Sequence, residues 1–149
     1  MSSPLGYRGL IGSRAYFGQN PPQHVQNAVV RNYCQAREWL FLLSMAEYAM
    51  PGCYMILNEA LDALDQVEGI VLYSVFMLPE RRSARARVLE RVLAAGKSLH
   101  GAVENLAVST PAEAARVMDM WEVRLAQRGC PGLEDEVRRS LSPSAPEEL

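Results

Sequence analysis

Short apolar runs recur along this chain, and each gives way to polar residues. Tyr7 to Gly12, Leu40 to Met45, Ile70 to Phe76 and Ser98 to Val103 have the length and apolar density of buried strands. Between them, apolar residues fall at three- and four-residue spacing, which marks helices with one inner face. Val25, Ala28, Val29, Asn32, Tyr33 and Ala36 predict a helix with one inner face over Gln23 to Arg37, opened by Pro21-Pro22. Leu57, Ala60, Leu61 and Leu64 predict a second over Tyr54 to Leu64, after a Pro51-Gly52 turn. Val88, Leu89, Val92 and Leu93 predict a third from Pro79 to about Ala95, with Gly96 as its C-cap. Thr110-Pro111-Ala112-Glu113 has the form of a helix start, and Val117, Met118, Trp121 and Leu125 carry that fourth helix on.

Strand and helix alternate throughout, which predicts an α/β domain: a mainly parallel four-stranded sheet with helices on both faces, in three layers, joined by right-handed crossovers. The domain is expected to span residues 1–139. Gly129-Cys130-Pro131-Gly132 breaks the fourth helix, a short helix follows through Arg139, and the Ser-, Pro- and Glu-rich residues 140–149 read as a disordered tail.

In a parallel sheet the C-terminal strand ends share one edge, where open α/β folds bind ligands. Ser13, Glu47, Ser74 and Glu104 are expected to gather there. Ser13-Arg14 offers a hydroxyl and a guanidinium to an anion, and Gln23, His24 and Asn27 follow in the first turns of the next helix, where free N–H groups favour negative charge. His24 titrates near neutrality and is a candidate base. Glu47-Tyr48 and Glu104-Asn105 place two carboxylates after different strands, able to divide acid and base roles. The catalytic candidates are therefore Ser13, His24, Glu47, Tyr48 and Glu104; Arg14, Gln23, Asn27, Ser74 and Asn105 are the binding candidates. Each also has a plain structural reading, as a turn, a cap or a solvated surface residue. His100 and Tyr73 lie within predicted strands and read first as sheet-face residues.

Composition narrows the field. The 149 residues are 49% hydrophobic and 21% charged, with a net charge of −2, which suits one globular domain and argues against a protein that coats nucleic acid. Arg81, Arg82, Arg85, Arg87 and Arg91 crowd the third helix, either as a basic stripe or as a solvated face balanced by Glu80 and Glu90. Cys34, Cys53 and Cys130 lack metal-site spacing, so no metal and no cofactor are called for, and a reducing cytoplasmic setting is expected. Cys53, at a helix start, reads as a packed small residue before it reads as a nucleophile. No run is long enough to span a membrane.

The blocks GYRGLIGSRAYFG, PPQHVQNAVVRNYC, EYAMPGCYMILNEAL, GIVLYSVFMLP and LHGAVENL resemble the sporadic carbohydrate cluster proteins, found among bacterial carbohydrate biosynthesis genes. That resemblance implies a pathway and not a reaction. A more distant resemblance is to the catalytic domain of serine recombinases, or resolvases, built as strand, nucleophilic serine, helix, Pro-Gly turn and third strand. Ser13, Pro51-Gly52 and Tyr73 to Leu78 fall at those places. The family's arginines are missing: Ile11, Met50 and Phe76-Met77 stand where they would be. The resemblance implies a resolvase-like, broadly Rossmann-like fold without strand-exchange chemistry.

Together these readings favour a small metal-independent enzyme of carbohydrate biosynthesis, acting on a phosphorylated or nucleotide-linked sugar by acid–base or covalent chemistry. Such a partner is a sugar phosphate or nucleotide-sugar, with another pathway enzyme and a homodimer allowed and DNA not expected. The alternatives are a non-catalytic binding or scaffold protein of the same pathway and, third, a degenerate recombinase-like protein acting on DNA.

Overall fold

A computed structural model describes residues 5–50 and 52–128. Its central sheet comprises β1 (Tyr7–Gly12), β2 (Phe41–Glu47), β3 (Gly69–Leu72), β4 (Ser98–Gly101) and β5 (Leu106–Val108), in the spatial order β2-β1-β3-β4-β5. The first four strands are parallel and β5 runs antiparallel to β4. Four α-helices connect or follow them: α1 (Gln23–Ala36), α2 (Met55–Asp62), α3 (Arg82–Ala94) and α4 (Pro111–Arg128). The α/β class, the parallel core and the four helices are those expected from the apolar pattern.

Side-chain alternation along the strands divides the core. On one face Ile11 and Val71 are buried with Val30, Tyr33 and Cys34 of α1, and Tyr7, Trp39, Phe41, Tyr73 and Ala102 pack against them. Leu10, Ile70, Leu72 and Leu99 alternate to the other face and are fully buried, where α2 and α3 supply Leu57, Ala60, Leu61, Val88, Leu89 and Val92. Close backbone approach sets Gly69 and Gly101: a methyl group on Gly69 would sit 2.6 Å from the Ser98 carbonyl oxygen.

Several boundaries differ from the sequence reading. The third strand stops at Leu72 instead of Phe76, because Ser74 starts a 3₁₀ turn, Val75–Met77, by accepting the Phe76 N–H through its own hydroxyl. The fourth strand stops at Gly101: residues 102–105 turn, Asn105 adopts a left-handed φ of 53°, and the chain returns as β5. The sheet thus has five strands, not four. The third helix begins at Arg82 instead of Pro79, since the buried Arg85 guanidinium takes the carbonyls of Pro79 (3.1 Å) and Glu80 (2.9 Å) and holds that segment extended. Arg85 therefore belongs to the core, and Arg91 pairs with Asp62 at 2.8 Å, so of the two readings of this run the continuous basic stripe does not form.

The start of α4 behaves as expected. The Thr110 hydroxyl accepts the Glu113 N–H, and the Glu113 carboxylate reaches back to the Ser109 N–H at 3.0 Å and to both hydroxyls. These bonds hold Glu113 below the usual carboxylate range, the Ser109 N–H contributing most.

The chain falls into two compact units, Met1–Met118 and Asp119–Leu149. Among the described residues the second holds the remainder of α4, with Trp121 buried. Pro51, Cys130, the 129–132 break, the short helix to Arg139 and the tail fall outside the described residues, as does the domain end expected at 139. Among the described residues, no helix is long and apolar enough to cross a membrane, and no three His, Cys, Asp or Glu side chains converge on a metal position.

Candidate functional site at the strand ends

Register brings the predicted polar residues to one edge. Gly12 lies level with Glu47, Leu10 with Leu72, and Leu72 with Gly101. Ser13, Glu47, Ser74 and Glu104 thus all follow or close the C-terminal ends of parallel strands. They form two separate groups there. Glu104 accepts the Ser74 hydroxyl at 2.7 Å and the Val75 N–H at 2.8 Å, cross-linking the turns after β3 and β4. The Tyr16 hydroxyl joins this group through Ser74, and burial, with the neighbouring Tyr73 and Glu104, pushes its pKa up to about 12. Tyr16 is therefore a neutral phenol at any physiological pH.

Glu47 is buried and accepts the N–H groups of Tyr48 (3.2 Å), Ile56 (3.1 Å) and Leu57 (2.9 Å). The last two belong to the first turn of α2, whose N-cap residue, Tyr54, makes no side-chain cap bond. A carboxylate from β2 thus supplies that helix with both its missing acceptor and a charge matched to its dipole. The sequence reading gave Glu47 to proton transfer; the geometry gives it to anchoring a helix.

The Ser13 loop is clamped from below. Gln26, buried in α1, accepts the Gly12 N–H at 3.0 Å and donates to the carbonyls of Gly12 (2.7 Å) and Pro21 (2.8 Å). Gly12 faces the side where β3 has already turned away, so the Gln26 amide stands in for the missing strand. Beyond it, Tyr16 and Gln19 form a bridge around Phe17 and Gly18, whose φ angles are 47° and 76°. Phe17 meets Phe76 edge-on at 5.5 Å, and Met77 Cε lies near Gly12. Ser13 itself is half-buried. Its hydroxyl makes no hydrogen bond to another described residue, so no base is engaged with it.

Arg14 is engaged by backbone and ring: its Nη1 donates to the carbonyls of Met50 (3.0 Å) and Cys53 (2.8 Å), and its guanidinium lies 4.3 Å over the Tyr54 ring. It ties the Ser13 loop to the connection before α2. Gln23 and His24 are exposed at the start of α1, and Tyr48 is exposed beyond β2. Asn27 accepts the Ser44 hydroxyl at 2.6 Å, and Asn105 accepts from Arg37. Cys53 is half-buried and free, Cys34 buried and free, with burial pushing the Cys34 thiol up to about 11.

The opposite end of the α1 face holds His100, between the Tyr33 hydroxyl (2.9 Å) and the Ser98 hydroxyl (2.8 Å), with Tyr7 and Trp39 packed on its ring. Burial, reinforced by Arg37, takes its pKa down to about 4.

Sequence reasoning passed over Gln26 and Tyr16. Gln26 could have been found as the one polar residue on the inner face of α1, between Pro22 and Val30. Tyr16 carries no such periodic mark, because its role depends on a turn.

No protein-family model matches this sequence, and no curated protein matches it. Solved structures do. The N-terminal catalytic domain of TP901-1 integrase superposes with a TM-score of 0.59 at 10% identity, covering 83% of this chain and 98% of that domain. A resolvase family site-specific recombinase from Streptococcus pneumoniae gives 0.58 at 8% identity, covering 91% of this chain and 99% of that one. The class is therefore settled as an α/β domain with the resolvase-like fold. The carbohydrate cluster resemblance finds no support beside it. These matches to recombinase domains overturn the reading as a sugar-modifying enzyme of carbohydrate biosynthesis, and with it the sugar phosphate or nucleotide-sugar as partner.

Proposed function

We propose that this chain is a recombinase-fold protein that acts on DNA without cutting it. DNA, which composition argued against, becomes the partner to test first. The observation that carries the reading is a fold matched over nearly the whole of two recombinase domains, joined to a serine loop without their chemistry. Ile11 is core, Met50 is exposed, and Phe76-Met77 forms the apolar turn beside Gly12. Phosphoryl transfer without guanidinium groups would leave the transition-state charge uncompensated.

Phosphate contact is a lesser demand. The starts of α1 and α3 follow strand ends of the same edge, and exposed Gln23, His24, Arg81 and Arg82 stand there. We assign these residues and Ser13 to contacts with the DNA backbone, and Glu47, Ser74 and Glu104 to holding the edge in shape. A net charge of −2 is compatible with such a local patch, since phosphate contacts position a protein through few residues. The free Cys34 and Cys53 suit the reducing cytoplasm, where such DNA lies.

Fluorescence anisotropy with a labelled duplex tests this. Binding should weaken with salt, by a log–log slope of about 0.9 for each phosphate contacted, and Arg81→Ala with Arg82→Ala should weaken it several-fold and flatten that slope. Denaturing gels should show no protein–DNA adduct. Salt-insensitive or absent binding overturns the DNA assignment; an adduct lost in Ser13→Ala overturns the absence of cutting.

A further inference from the structure

The hairpin after β1 carries an aromatic residue where its turn favours another kind. Tyr16 and Gln19 exchange backbone hydrogen bonds in both directions, each 2.9 Å long, so Phe17 and Gly18 are the central pair of a tight turn. Their φ angles, 47° and 76°, are both left-handed. A two-residue hairpin of that kind is the type I′ turn, which favours Asn, Asp or Gly in the first place and makes a bulky ring an outlier. The hairpin is also fixed in position. Tyr16 reaches Ser74, and Phe17 lies edge-on to Phe76 with ring centroids 5.5 Å apart, so two successive residues dock on the 3₁₀ turn Val75–Met77 and its cap. Phe17 and Phe76 are nevertheless only partly buried, and the following Gly18, Gln19 and Asn20 are exposed. Residues 15–20 carry no charge.

A second ring stands on the same edge. Gly12 and Glu47 lie level, so Tyr48 follows β2 where Ser13 follows β1. Tyr48 is 49% exposed, while its N–H is tied to the Glu47 carboxylate at 3.2 Å. Aromatic rings add nothing to the grip on a phosphate, which takes cationic and N–H donors. They suit a nucleobase, whose flat face stacks on a ring and whose edge bonds to an amide. In an intact duplex those faces are covered by the neighbouring base pairs, so only an unpaired base can stack on a protein ring.

We propose that this edge takes an unpaired strand of DNA, one base stacking at the Phe17–Phe76 pair and another on Tyr48, with the Gln19 and Asn20 amides meeting base edges. The inference rests on the DNA reading above and narrows it: Gln23, His24, Arg81 and Arg82 contact the backbone, and the rings select the state of the strand. The docked hairpin favours this use, because a ring already held in place binds without first losing its own freedom. It also accounts for the uncommon backbone of Phe17, since such conformations persist where surrounding contacts over-determine them, as at ligand sites.

Fluorescence anisotropy on the full chain compares three labelled probes: a single strand, the duplex of the same sequence, and a strand of equal length with abasic sugars throughout. The wild type should bind the natural single strand about tenfold tighter than either of the others. Phe17→Asn suits the turn and removes one ring, and Tyr48→Ser removes an exposed one. Each should weaken single-strand binding about five- to tenfold, with circular dichroism showing an unchanged fold, and the two together should erase the preference over duplex. Phe17→Tyr, which keeps a ring, should retain that preference. Equal binding of strand and duplex, an abasic strand bound as tightly as the natural one, or a preference that survives both substitutions overturns base stacking and leaves the DNA reading standing. Absence of binding to all three probes overturns both.

Discussion

Replacing Gln26 by leucine keeps the volume of a buried side chain and removes three hydrogen bonds that hold the Ser13 loop. Its relative exposure is 1%, so water cannot easily take its place. Two of the bonds serve the N–H and C=O of Gly12, both in buried contacts; the third serves the partly buried Pro21 carbonyl. An orphaned buried backbone group costs about 1–3 kcal/mol, so the two Gly12 groups alone put the loss at roughly 4 kcal/mol. Urea unfolding should report this as a lower midpoint at unchanged slope. Gln26→Glu separates the parts: it retains an acceptor for the Gly12 N–H but no donor for the two carbonyls, and should destabilise as well. Hydrogen exchange should rise at Gly12 and through residues 13–19 before it rises in β3. A loss below about 1 kcal/mol in Gln26→Leu, with exchange at Gly12 unaltered, would refute the claim that this amide completes the sheet edge.

Three further outcomes follow from the geometry. His100 has a pKa of about 4 in the folded chain against 6.5 unfolded, so between those values the unfolded chain binds more protons. Stability should be full above about pH 6.5 and fall toward pH 4 by up to about 3 kcal/mol, a slope that His100→Gln should flatten in urea titrations; an equal slope in that variant contradicts the assignment. Glu47→Ala strips the first turn of α2 of a buried charged cap and should cost about 2–3 kcal/mol in thermal or urea unfolding. Gly101→Ala would set a methyl group 2.5 Å from Val75 Cγ1 and 2.6 Å from Glu104 Oε1; it should destabilise by about 1–3 kcal/mol, and a neutral effect would show that the Ser74–Glu104 link yields freely.

The parallel core was legible because buried strands and amphipathic helices carry periodic signals. Tyr33, Leu57, Val88 and Val117 are buried on the helix faces expected of them, whereas α1 buries Gln26, Val30 and Cys34 and leaves the expected Val25, Ala28 and Ala36 exposed. β5 was not legible: Leu106–Val108 is three residues long, and its pairing depends on the left-handed Asn105 turn. The third strand was read too long for a related reason. Tyr73 to Phe76 has strand-like residues, but the Ser74 hydroxyl and the Glu104 carboxylate bend it away. Arg85 looked like a surface charge because helix spacing cannot tell which arginine of a run turns inward to reach loop carbonyls.

The sequence by itself determined the α/β class, the order of its parallel strands and helices, and the gathering of Ser13, Glu47, Ser74 and Glu104 at one edge, since local periodicity and chain direction suffice for all three. Only the tertiary structure decided what those residues hold. Glu47 caps α2, Glu104 ties Ser74 to the next turn, Arg14 braces two loops, and no base among the described residues is hydrogen-bonded to Ser13. A polar side chain's role is set by whichever donor or acceptor the fold leaves unsatisfied within its reach, and for Asn105 that partner lies 68 residues away along the chain.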